Sequence, residues 1–201
     1  MPKLARTTLV LLGAAFTLSL LVSTASANHL STSTRSIRTT WTSLEFVEPL
    51  GTTFRCSLSL EGSLHSATMT KTAEALVGFI TRASVARSCT GGEFSVLTET
   101  LPWHLRYAGF TGILPDITSL AINLVGFALK IKGSFGTCLF TSSASQPFRN
   151  RYNLNASHAV TGVEIEGTIT SNEGCGPFGE RVTSRLKGNS TTNSAQTITL
   201  I

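Results

Sequence analysis

Acid–base chemistry has few residues to draw on in this chain. There are four histidines, and Asp116 is the only aspartate among 11 acidic residues. His29 falls in a polar N-terminal stretch and His158 lies beside a Thr/Gly turn, which leaves His65 and His104. His65 closes the run Glu61-Gly62-Ser63-Leu64-His65, and His104 takes the outward parity of a strongly alternating segment, two residues from Arg106. His65, His104 and Arg106 are therefore the candidate surface site. A serine-nucleophile triad could be assembled from His104 and Asp116, because triads are defined by geometry and not by chain order. In so Ser-rich a chain, however, any histidine has a serine nearby, and a plain surface histidine is the simpler reading.

Glycosidic chemistry would need two carboxylates. Glu164 and Glu166 stand two apart on one strand face, roughly 7 Å between side chains, whereas a glycosidic bond is flanked from opposite sides. Glu61 could supply the second group, but nothing in the sequence brings it there, so a solvated strand face is expected. No G-x-S-x-G elbow, H-E-x-x-H pair or P-loop occurs, and Gly133-Ser134-Phe135-Gly136 has the wrong spacing for an elbow. No catalytic residue and no cofactor is expected.

Binding chemistry offers more candidates. Trp41 and Trp103 could stack on sugars, although Trp103 has the buried parity of its strand. Thr68/Thr70/Thr72, Thr98/Thr100, Thr168/Thr170 and Thr197/Thr199 would form short ranks of hydroxyls if extended. They follow no repeat, so wet-face threonine is the expectation. Asn155-Ala156-Ser157 and Asn189-Ser190-Thr191 match the glycosylation acceptor pattern, as chance allows in such a composition.

Cys56, Cys89, Cys138 and Cys175 are an even set with no CxxC spacing and no adjacent histidine, so disulfides are expected and a metal or redox role is not. Three connectivities are open. The sequential one, Cys56–Cys89 with Cys138–Cys175, is favoured because it divides the cysteines between two halves about the proline-bounded segment 102–115.

The elements that must carry these residues are strands. Phe54, Cys56, Leu58 and Leu60 alternate with Arg55, Ser57, Ser59 and Glu61. Leu101, Trp103, Leu105 and Tyr107 alternate with Pro102, His104 and Arg106, and Val163, Ile165, Gly167 and Ile169 alternate with glutamate and threonine. In 119–132 the apolar parity changes, predicting a bulge or bend at Val125-Gly126. A short turn at 72–76 should lead into a long strand, and Gly91-Gly92 suits a hairpin. Gly109 breaks the chain, Leu114-Pro115 turns it, and residues 141–151 read as a surface loop. Gly174–Gly179 should be a tight, disulfide-pinned loop. The expectation is an all-β antiparallel sandwich or closed barrel of about ten strands with two disulfides.

Residues 1–27 set the address. Lys3 and Arg6 precede an apolar run from Leu9 to Val22, and Ala25-Ser26-Ala27 supplies a cleavage site, the layout of a secretory signal peptide. Residues 28–36 should then be a flexible tail and 37–201 a single secreted β-domain. The apolar run is shorter than the roughly 20 residues a spanning helix requires, so no stable membrane anchor is expected. The formal charge of +5 falls to +3 without Lys3 and Arg6, and no dense basic block occurs, which disfavours nucleic acid. With only 13% charged residues, the chain solvates itself with Ser and Thr.

The runs CSLSLEGSLHS at 56–66 and TLPWHLRYAGFTGILPDI at 100–117, with the Cys89-Thr90-Gly91-Gly92 turn, resemble a group of small secreted actinobacterial proteins of unknown function. The resemblance implies export and a β-rich, disulfide-bearing domain, and it carries no catalytic assignment. The leading expectation is a non-enzymatic secreted β-domain that binds or builds at the cell envelope or in the medium. Its partner would be an envelope glycan or another envelope protein. The alternatives are a hydrolase of envelope polysaccharide or ester, and a small outer-membrane β-barrel.

Overall fold

The computed structural model describes residues 29–48, 51–86, 89–133, 136–175, 181–190, 192–193 and 196–201. The expected signal peptide and residues 176–179 of the glycine loop lie outside the described residues. In chain order the strands are β1 His29–Thr32, β2 Ser36–Val47, β3 Thr53–Leu64, β4 Thr68–Thr70 and β5 Leu76–Val85. There follow β6 Glu93–Val96, β7 Trp103–Ile113, β8 Asp116–Val125, β9 Ala128–Gly133 and β10 Gly136–Thr141. The last are β11 Phe148–Leu154, β12 Val160–Thr170, β13 Thr183–Ser190, β14 Thr192–Asn193 and β15 Ile198–Leu200. One 3-10 turn, Thr98–Thr100, precedes β7.

Eight strands run antiparallel in the order β2-β3-β5-β7-β8-β11-β12-β13, and β13 returns to pair with β2 through Leu186 and Phe46. The sheet therefore closes, and of the two expected architectures the barrel is the one formed. Closure removes the exposed edges that a sheet of this size would otherwise present. The alternation seen in the sequence becomes an inside and an outside. Cross-strand pairing carries one outward row from Arg106 through Asn123, Arg149, Glu166 and Lys187 to Glu45 and Arg55. One residue along, Leu105, Leu124, Phe148, Leu186, Phe46 and Phe54 are buried.

Two small sheets cover the barrel ends. The β10-β9-β6 sheet buries Leu129, Ile131 and Phe140, with the Phe140 ring 4.9 Å from Phe46, edge to face. At the same end Phe127 packs between Trp103 and Phe148, at 4.8 and 5.4 Å. The β15-β1-β4 sheet buries Leu30, Met69 and Ile198 at the other end. A cavity of about 10 Å³ remains there beside Tyr152 and Gln196, room for about one water.

Both disulfides are formed, in the sequential pairing. Cys56–Cys89 ties the chain after β5 back to β3, and Cys138–Cys175 ties β10 to the chain after β12. Such bridges belong to chains that fold in an oxidising compartment. Among the described residues no helix is long and apolar enough to cross a membrane.

Several local expectations are corrected. Residues 29–32 are not a flexible tail but β1, held between β4 and β15 with Leu30 fully buried. Composition misleads there because a single leucine anchors a polar strand. Residues 148–151 leave the expected loop and join β11, since Phe148 and Tyr152 point inward while Arg149 and Arg151 face water. Gly109 does not end its strand. It sits at a register shift and β7 continues to Ile113. Gly91-Gly92 turns the chain into β6, which pairs with β9 rather than forming a hairpin with β5. The Val125-Gly126 bend is present. Gly126, at φ +90°, redirects the chain from β8 into β9, and Ser142 fastens the corner by accepting from Phe127 N and donating to Leu124 O.

Candidate functional site

The two candidate histidines do come together, around a residue the sequence did not single out. Read by simple alternation, Phe79 shares the parity of Val77. Register shifts at Leu76/Gly78 and Glu61/Gly62 instead turn Phe79 outward, opposite His104 on β7 and Ser63 on β3. The strands can close up at this irregularity because Gly62 has no side chain; a Cβ there would run into the Phe79 carbonyl. The His65 ring then stands 4.7 Å from Phe79 at 86°, and the His104 ring 5.4 Å from it at 59°. Phe79 keeps the imidazoles apart. Neither makes a hydrogen bond or ion pair among the described residues.

Arg106 lies next on the outward face of β7, between Leu76 and Asn123 in register. Its Nε is buried without a hydrogen bond, and so is Asn123 Oδ1. Asn123 Nδ2 donates to Glu74 Oε1 at 2.9 Å, so that carboxylate is already engaged. A general base needs a partner that fixes its tautomer and a nucleophile within reach. Among the described residues neither imidazole has a partner that fixes its tautomer. The patch is an aromatic and cationic surface.

The other acid–base arrangements fail on position. Asp116 pairs with Ile113 at the turn of the β7–β8 hairpin, while His104 pairs with Val125 at the far end. That puts about 30 Å between them. Glu164 accepts from Asn153 Nδ2 at 2.8 Å and meets Arg151 at 3.5 Å, and Glu166 meets Arg151 at 3.8 Å. Both carboxylates are members of an ion-pair cluster on a wet strand face.

Neither tryptophan is available to a sugar. Trp103 is 1% exposed and its indole N–H donates to Thr100 Oγ1, and Trp41, equally buried, donates to Val163 O. Thr98 and Thr100 fall in the 3-10 turn, so they do not form an extended rank.

A concavity on the β3–β5 face was not legible as a motif. β5 pairs with β7 only from Leu76 to Ile80. Above that point the chain approaches β7 through the 3-10 turn, Leu101 and Pro102, which has no N–H to extend the ladder. A groove of about 450 Å³ opens along β5, lined by Ser59, Thr81, Arg82, Ser84 and Thr98 with Ala83 and Leu101 beneath. A second depression of about 360 Å³ shares Glu61, Thr81 and Arg82 with it and continues to Ser36 and Arg38 on β2. Glu61 sits in the middle, 3.4 Å from Arg38 and 3.9 Å from Arg82. Ser59 is bonded to Thr40 at 2.8 Å. The wet parity of Ser57, Ser59 and Glu61 was visible in the sequence, but the arginines and Thr81 arrive by register.

Among the described residues no three His, Cys, Asp or Glu side chains gather at metal-ligating distance. No known family model matches this chain, and no curated protein and no solved structure matches it.

Proposed function

We propose that this chain is an exported, non-enzymatic β-barrel that binds a hydroxyl-rich polymer, an envelope glycan, through its outer face. The observation that carries the reading is the groove over β3 and β5, where serine and threonine hydroxyls line a floor of Ala83 and Leu101. Apolar floor with a few convergent polar groups is the usual make-up of a ligand cleft. Export is supported by the signal-like residues 1–27 and by two disulfides.

A hydrolase would need a free acid or base in that cleft, and its one carboxylate, Glu61, is held between two arginines. A membrane barrel turns apolar residues to lipid and polar ones to the lumen. The opposite arrangement here, with Arg149, Glu166, Lys187 and Arg55 outside a buried aromatic core, favours a barrel bathed in water.

The test is retention of the purified chain on insoluble cell-wall glycan. Removing the hydroxyls of Ser59, Thr81 and Ser84 together (S59A, T81V, S84A) should weaken retention by tenfold or more, since each neutral hydrogen bond is worth about 1 kcal/mol. Unchanged retention by a folded triple variant sinks this reading.

A further inference from the structure

Across the barrel from that groove, the outer face of β11, β12 and β13 holds a separate depression, of about 390 Å³. It is lined by Pro147, Arg149, Glu166, Gly167, Thr168 and Arg185. Its origin is local. Arg149–Glu166 is the first pair of the β11–β12 ladder, and Pro147, just before β11, has no N–H with which to continue it. Thr168, two residues beyond Glu166, is thus left with a neighbour on one side only, Arg185 of β13.

The charges around the dent are unevenly used. Arg151 is taken up by Glu164 and Glu166, and Lys187 by Glu45 at 3.0 Å. Arg149 and Arg185 make no ion pair or hydrogen bond among the described residues, and neither does the Thr168 hydroxyl. Two strand spacings and two residues separate the arginines, about 12 Å between their backbones, a gap their side chains can close on a bound group. Two guanidinium forks present paired donors matched to an oxyanion, with geometry a lysine cannot reproduce. Glu166, which shares Arg151 with Glu164, keeps lone pairs that can accept sugar hydroxyls.

We infer that Arg149, Thr168 and Arg185 form a subsite for an acidic saccharide, its carboxylate or phosphate ester between the two guanidiniums and its hydroxyls on Glu166 and Thr168. The volume lies at the small end of ligand clefts, roughly 300–1,000 Å³, which suits one sugar unit. This site does not depend on the hydroxyl groove.

The test is a titration of the purified, disulfide-intact chain with galacturonate, glucose 6-phosphate, glucose and inorganic phosphate, followed by amide and arginine side-chain NMR shifts. One or both acidic sugars should move Gly167, Thr168, Arg149 and Arg185 at least tenfold more tightly than glucose does, and which of the two binds identifies the oxyanion. R149Q and R185Q should each weaken binding about tenfold, the lysine pair R149K/R185K should not restore it, and S59A/T81V/S84A should leave it unchanged. A near-UV spectrum checks the fold of each variant, and T168V, which leaves all charges in place, should weaken binding severalfold. The inference is overturned if glucose binds as well as the acids, if folded R149Q/R185Q or R149K/R185K binds like the unaltered chain, or if Arg38 and Arg82 respond equally.

Discussion

At the scale of single residues, the buried polar contacts should be costly to lose. Trp41 of β2 donates its indole N–H to Val163 O of β12, beside the seam where the barrel closes, at 2.9 Å. Trp41→Phe leaves that carbonyl buried without its partner, which costs about 1–3 kcal/mol, and urea denaturation should show a loss of that size. Two glutamates respond to pH in opposite directions. Hydrogen bonds from Arg55 and Lys187 hold the Glu45 carboxyl below the ordinary carboxylate range. Its contribution is present above the unfolded value and is lost as pH falls through the lowered folded value. Burial instead pushes the Glu48 carboxyl up. The folded chain then holds that proton more readily than the unfolded one, so stability falls as pH rises from the unfolded value through the raised one. Glu48→Gln should remove that fall, seen as a higher urea midpoint for the variant at neutral pH and no gain near pH 4. A lower midpoint at neutral pH would contradict it.

At the scale of elements, two prolines do similar work. Pro102 and Pro147 each stand immediately before a barrel strand, β7 and β11, and each stops a ladder where a concavity begins. The disulfides act on what lies outside the barrel. Cys138–Cys175 is the covalent tie between the β10-β9-β6 end sheet and the chain after β12. Replacing both cysteines by serine should cost about 3–4 kcal/mol on the chain-entropy model. Amide exchange should rise first in β9 and β10, and uniform exchange across the barrel would contradict that assignment.

The strands with strict alternation, around Phe54–Leu60 and Val163–Ile169, were legible because one dry face writes itself into every second residue. Where the register shifts, in β5 and β7, alternation does not give the facing: Phe79 turns outward, and Gly109, expected to break the chain, sits at a shift inside β7. His65 and His104 could be singled out as surface residues, but their common neighbour Phe79 could not. Arg149 and Arg185 became a pair only once β12 was threaded between their strands.

At the scale of the whole molecule, closure of the sheet decides where function can lie. Eight strands enclose a space just wide enough for side chains or one small ligand. Here Phe46, Phe54, Phe127, Phe148, Trp41 and Trp103 fill it, and small sheets cover both ends. On the proposed reading, recognition falls to the outside, to the serine, threonine and arginine side chains of the groove. Backbone NMR shift mapping of the chain with soluble cell-wall glycan fragments tests this most directly. With uncharged fragments, the expected result is a set of saturable shifts centred on Ser59, Thr81, Arg82, Ser84 and their neighbours along the groove. Shifts centred on inward residues such as Leu58, Ile80 and Ile122, or none at saturating glycan, would contradict it.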